Sequence, residues 1–168
     1  MGILLSFVLY KNEINQHNDK NKNLNKLYPL SLLKNSNKLY HLSLLTNHHN
    51  ENGISIHGLW PDYNDGTYPS FCKKIPFDFN NLKIIEEKLL KYWELPQDIN
   101  KLELSFWQHE WEKHGTCMFQ TMTELEYFSK AIELYEIIIN NNIDIHQYKK
   151  GKNYMIPFDL DFQLIKYN

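Results

Sequence analysis

HEWEKHGTC, residues 109–117, departs by one residue from the HExxH pattern of zinc hydrolases, because its two histidines stand five positions apart. Two metal ligands on a helix sit at i and i+4, which is about 40° of rotation at roughly 100° per residue. On the same wheel His114 lies about 140° from His109, with Lys113, Phe106 and Glu110 at about 40°, 60° and 100° between them. Trp107, Gln108, Trp111 and Glu112 fall outside that arc. The two imidazoles are badly placed to share one ion and well placed to line one cleft. A solvated amphipathic face explains a lone His–Glu pair. It does not explain His-Glu-x-x-Lys-His set among Phe and Trp.

An earlier stretch, SIHGLWPDYNDGTYPSFC (residues 55–72), supplies matching chemistry. His57 closes a strand-like run, and Gly58 beside it permits close backbone approach. Trp60 and Tyr68 offer flat rings and Asp62 an acceptor, a set suited to a nucleobase next to its phosphate. Tyr63 and Phe71 read as core packing. His48 and His49 fall in a turn-like HHNENG and read as solvated. No metal and no cofactor is expected.

The 168 residues suffice for one core, with 42% hydrophobic and 14% aromatic content. The formal charge of −2 excludes a protein that coats nucleic acid by charge alone. All 18 basic residues are lysines. Any phosphate contact therefore comes from lysine, histidine or backbone amides, without the guanidinium fork. By spacing alone, Cys72 and Cys117 make neither a zinc site nor a CxxC redox pair. Two buried free thiols and a bonded pair stay equally open.

Residues 3–10, ILLSFVLY, are too short to span a membrane and read either as a secretory signal or as a buried first strand. Residues 11–26 are polar and Asn/Lys-rich, without apolar period. Strands are expected at 39–45 and 54–60, the second ending at Pro61, with a loop over DYNDGTYPS. Helices are expected at 80–95, stopped by Pro96, at 104–114, stopped by Gly115, and from Thr123 to about 140, opened by a Thr123/Glu126 capping box. The tail, YMIPFDLDFQLIKYN (154–168), is short and mixed. Strands and helices segregate, which gives an α+β class with an antiparallel sheet packed against several helices.

IHGLWP (56–61) and HEWEKHGTC (109–117), in this order and separation, resemble the two active-site blocks of the ribonuclease T2 family, acid endoribonucleases that act without a metal. The intervening PDYNDGTYPSFC resembles fungal members. The resemblance covers about 39–140 and implies an N-terminal segment 1–38 outside a T2-like domain at 39–168. It implies RNA as substrate, with DNA excluded, and a monomer with no membrane span. His114 is then the base for the ribose 2′-OH and His57 the acid for the leaving 5′-oxygen. His109, Glu110 and Lys113 hold the phosphate and its transition state. Trp60, Asp62, Tyr68 and Phe106 form the base pocket. Cys72 and Cys117 match a family disulfide, which implies a secreted or lumenal location. The alternative is a relative that binds RNA or protein without cleaving. Three departures stand out. LSLL runs into TNHH where relatives have Gln-Trp-Pro, other family cysteines are missing, and the sheet is expected to be truncated at its C-terminal strands.

Overall fold

The computed structural model describes residues 37–93 and 103–166. The run at 3–10, the polar segment at 11–26 and the stop at Pro96 lie outside the described residues. Strand β1 (Lys38–Thr46) pairs antiparallel with β2 (Ile54–Tyr63) through the turn at 47–53. A 3-10 segment (Phe79–Ile85) leads into α1 (Glu86–Tyr92), followed by α2 (Glu103–Lys113), a 3-10 turn at Gly115–Cys117, and α3 (Glu124–Asn140). The chain closes with β3 (Lys149–Lys150) and β4 (Asn153–Phe158). The strands lie in the order β2-β1-β4-β3, all neighbours antiparallel. This is the α+β arrangement expected.

Three details differ from the sequence reading. Strand β2 continues through Pro61 to Tyr63. It is an edge strand, where the missing proline N–H costs no ladder bond. The helix expected at 80–95 begins as a 3-10 segment. Asp78 caps it by accepting from Asn80 N, and buried Glu124 accepts from Asp78 N at 2.8 Å and from Asn81 Nδ2 at 2.6 Å. The short tail supplies β4, which inserts beside β1 inside the sheet.

One sheet face carries the core. Tyr40, Leu42 and Leu44 from β1, Ile56 and Leu59 from β2, and Tyr154, Ile156 and Phe158 from β4 are buried. They belong to one cluster with Tyr127, Phe128, Ala131, Ile132, Leu134, Tyr135 and Ile138 of α3, and with Trp93, Trp107 and Trp111. Each of the Leu, Ile and Phe side chains among them contributes about 1.5–3 kcal/mol by burial. Helix α3 starts at the expected capping box, with Glu126 Oε2 accepting from Thr123 N at 2.7 Å.

The other sheet face carries the site, and a β-bulge decides which side chains reach it. Ser43 is opposite Gly58 while Leu44 is opposite Ile56, so His57 is the extra residue of β2. A strand's period of two would put Ile54, Ile56, Gly58 and Trp60 on one face. The bulge changes the parity after Ile56 and turns Gly58, Trp60 and Asp62 away from the core.

Candidate active site

A pocket of about 510 Å³ is lined by His57, Trp60 and Asp62 of β2, Tyr68 of the following loop, Phe106, His109, Glu110 and Lys113 of α2, and His114 immediately after it. The structure thus brings all nine sequence-nominated side chains to one cavity. His48 and His49 lie elsewhere and are exposed. Among the described residues, no three His, Cys, Asp or Glu side chains are grouped to hold a metal ion.

The pocket floor is anchored from behind. Trp93 Nε1 donates to His57 O at 2.9 Å. The Tyr127 hydroxyl lies 3.1 Å from Leu59 O and 3.5 Å from Glu110 O, joining β2 to α2 through α3. Glu110, 2% exposed, accepts from Trp60 Nε1 at 2.7 Å, and its other oxygen faces His57 Nε2 at 4.0 Å. Gly58 is required here because a Cβ would overlap the Glu110 carboxylate and the Trp60 indole nitrogen.

The rings form a continuous set. Trp60 meets His57 edge-on at 4.9 Å and stacks on His114 at 5.0 Å. His57 stacks on Phe106 at 5.6 Å, and Tyr68 lies 6.4 Å from His114. Phe71 is a correction to the sequence reading: it is 59% exposed and sits edge-on to His109 at 6.1 Å. Its backbone has φ 51°, and its N–H donates to Lys113 O at 3.0 Å, which aims the ring outward.

Burial lowers His57 to a pKa of about 4, with the Lys113 and His109 charges adding to the effect. Burial likewise lowers His114 to about 3, helped by Lys113, His109 and His57. Glu110 is raised to about 7 by burial, against the Trp60 hydrogen bond and the Lys113 charge. The Nδ1 atoms of His57 and His114 are buried without a partner among the described residues. The arrangement therefore holds two neutral imidazoles and a carboxyl that stays protonated in acid, beside one ammonium group.

Cys72 and Cys117 form a disulfide, their Cα atoms 5.1 Å apart. With the Phe71–Lys113 bond next to it, this ties the loop carrying Tyr68 to the C-terminal end of α2. Closing a loop of 45 residues stabilises the fold by about 4 kcal/mol in the chain-entropy model.

Five lining residues were not nominated from sequence: Pro61, Gly66, Lys150, Asn153 and Met155. The last three come from β3 and β4, and only the pairing of β4 with β1 and β3 reveals them. His41 was also missed. Its Nδ1 lies 3.0 Å from Asp62 Oδ2, and burial lowers its pKa despite the Asp62 charge.

One bulged edge strand and one helix thus bring His57, His109 and His114 to one ring-lined pocket with Lys113 and Glu110. The ribonuclease T2 family model matches residues 12–151, and the chain belongs to that family. The match is wider than the motif-bearing 39–140 and takes in much of the polar N-terminal segment, where no motif marks it. Ribonuclease 1 of Arabidopsis thaliana is 44% identical over 82 residues, 48% of this chain and 36% of the relative. Extracellular ribonuclease LE of Solanum lycopersicum is 39% identical over 100 residues, 58% of this chain and 41% of the relative. The chain's match covers less than half the length of each. Among solved structures, an RNase-related protein from Calystegia sepium superposes with a TM-score of 0.56 at 26% identity, over 78% of this chain and 92% of the other. RNase NT, solved in complex with 5′-AMP, shares the fold with a TM-score of 0.56 at 19% identity, over 76% and 89%.

Proposed function

We propose that the chain is an endoribonuclease that cleaves single-stranded RNA by internal transphosphorylation. The observation that carries this reading is the placement of His57 and His114 against the two faces of one chemistry: both rings touch Trp60, and both line a pocket with Lys113 and Glu110.

His114 is the neutral base. It takes the ribose 2′-OH proton as that oxygen attacks phosphorus, and His57 in its protonated form gives a proton to the 5′-oxygen as the P–O5′ bond breaks. The product is a 2′,3′-cyclic phosphate. In the second step His57 takes a proton from water, His114 returns one to the 2′-oxygen, and a 3′-phosphate results. Burial holds His114 well below the usual histidine value, which suits a neutral base, and a bound phosphate anion favours the charged form of His57. His109 and Lys113 hold the phosphate, and Glu110 supplies a hydrogen bond to its oxygens as charge builds. Trp60, Tyr68 and Phe106 sandwich the base on the 5′ side, and Asp62 reads its edge.

Secretion or residence in an oxidising lumen fits the disulfide and the likeness to an extracellular relative. No helix among the described residues is long and apolar enough to cross a membrane. His57→Ala and His114→Ala each remove one proton-transfer role, so the expected loss on RNA is about 10²- to 10⁴-fold in kcat. Full activity in either variant would reject the assignment. RNA binding without any cleavage by the native chain would favour the non-catalytic alternative.

A further inference from the structure

The sheet register orders the site face from one end to the other. Leu39 is paired with Asp62, and His41 lies between Trp60 and Pro157. Ser43 lies between Gly58 and Met155, and Leu45 faces Asn153, which faces Lys150. Bulged His57 and Gly58 thus stand between the aromatic end of the pocket and the Asn153–Lys150 end. Asn153 lines the same pocket as His57. Lys150 lines the same pocket and acts electrostatically on His41.

The β3–β4 turn reads Lys149-Lys150-Gly151-Lys152, with Gly151 at φ 63° as a tight two-residue hairpin requires. Lys149, Lys150 and Lys152 are all exposed, and none joins the ion pairs found among the described residues. In a chain of net charge −2 without arginine, Lys150 at the pocket, with Lys149 and Lys152 in the same exposed turn, forms a local anion-attracting site.

We propose that this hairpin is a phosphate subsite for the RNA backbone, with Lys150 binding the phosphodiester one nucleotide 3′ of the scissile bond and Asn153 lining the path between it and His57. The proposal rests on the ribonuclease reading for its direction. With the 5′ base at Trp60 and Asp62, and His57 serving the leaving 5′-oxygen, the departing strand runs toward Asn153 and Lys150. The next phosphate then meets the hairpin. The three lysines carry no base-reading geometry, so the site accepts any sequence.

The test uses three 2′-deoxy analogues that the proposed chemistry leaves intact: a dinucleoside monophosphate, the same molecule with a 3′-terminal phosphate, and the same with a 5′-terminal phosphate. The 3′-phosphate is expected to lower Kd about two- to fivefold, the scale of an exposed charge pair. Lys150→Ala should abolish that gain and Lys150→Arg keep it. On longer single strands Lys150→Ala should reduce the salt slope of log Kd by about 0.7. The proposal is overturned if the 3′-phosphate gives no gain, if Lys150→Ala retains it, or if the gain belongs to the 5′-phosphate. Ribose versions of the same molecules report on cleavage separately. Failure to cut them while the Lys150-dependent gain persists would sink the nuclease reading and leave the subsite standing.

Discussion

Trp60 Nε1 donates to Glu110 Oε2 at 2.7 Å, joining the edge strand to helix α2 at the bottom of the pocket. One side chain thereby serves as a ring surface against His57 and His114 and as a clamp on a buried carboxyl. Trp60→Phe keeps a ring and removes only the N–H. The hydrogen bond favours the ionised carboxylate, so its loss should move Glu110 above its present pKa of about 7. Carbon-13 titration of the Glu110 carboxyl in the two proteins checks this; an unchanged titration midpoint would mean the bond has no hold on the carboxyl.

The same carboxyl leaves a mark on stability. Its folded pKa of about 7 exceeds the ordinary value of 4.5, so folding takes up a proton there. Its contribution is full below about pH 4.5 and is lost as pH rises through about 7. Glu110→Gln keeps the size and removes the titration. The native chain should therefore lose denaturant midpoint relative to Glu110→Gln between pH 5 and pH 8. Parallel midpoints across that range would contradict the buried, proton-holding carboxyl.

Catalysis should follow the two histidines. In the free protein His57 is protonated below about pH 4 and His114 is neutral above about pH 3. The kcat/KM profile should thus be a narrow bell on the acid side, falling above about 4 as His57 loses its proton and below about 3 as His114 gains one. A bound phosphodiester anion favours the charged imidazoles. The kcat profile should accordingly lie at higher pH than the kcat/KM profile. Coincident profiles would mean the substrate's charge does not reach the imidazoles.

Base choice should depend on a residue pair. His41 Nδ1 lies 3.0 Å from Asp62 Oδ2, while Asp62 Oδ1 accepts from Tyr63 N at 2.7 Å. The carboxylate is held at both oxygens. Asp62→Asn is expected to change the ranking of dinucleotide substrates more than the rate on the best one, and His41→Leu to shift the same ranking less. Equal losses on every base for Asp62→Asn would place the residue in the chemistry and not in the base pocket.

Much of this was legible in the sequence for a physical reason. The α2 face follows from helical geometry alone, so Phe106, His109, Glu110, Lys113 and His114 could be placed on one cavity wall before any fold was known. Capping chemistry did the same for the start of α3 at Thr123. The family disulfide depended on motif likeness, since spacing left the two cysteines ambiguous. Strand β2 was harder. Its alternation reads as regular, and nothing in ISIHGLW announces that His57 is an extra residue. The bulge becomes visible only when Ser43 and Leu44 take their partners. The contributions of β3 and β4, Lys150, Asn153 and Met155, are set by which strand β4 chooses to pair with, a long-range choice that local pattern does not encode. Phe71 looked like core for its size, and its positive φ sends it outward instead.

The central claim is that the substrate's own 2′-OH is the nucleophile and that histidines move the protons. The most direct measurement is product analysis of a ribodinucleoside monophosphate and its 2′-deoxy twin, each incubated with the protein in excess chelator at acid pH. The account predicts that the ribose form yields a 2′,3′-cyclic phosphate first and a 3′-phosphate later, and that the deoxy form remains intact. Cleavage of the deoxy form at a comparable rate, or cleavage of the ribose form only after a divalent metal is added back, would contradict it.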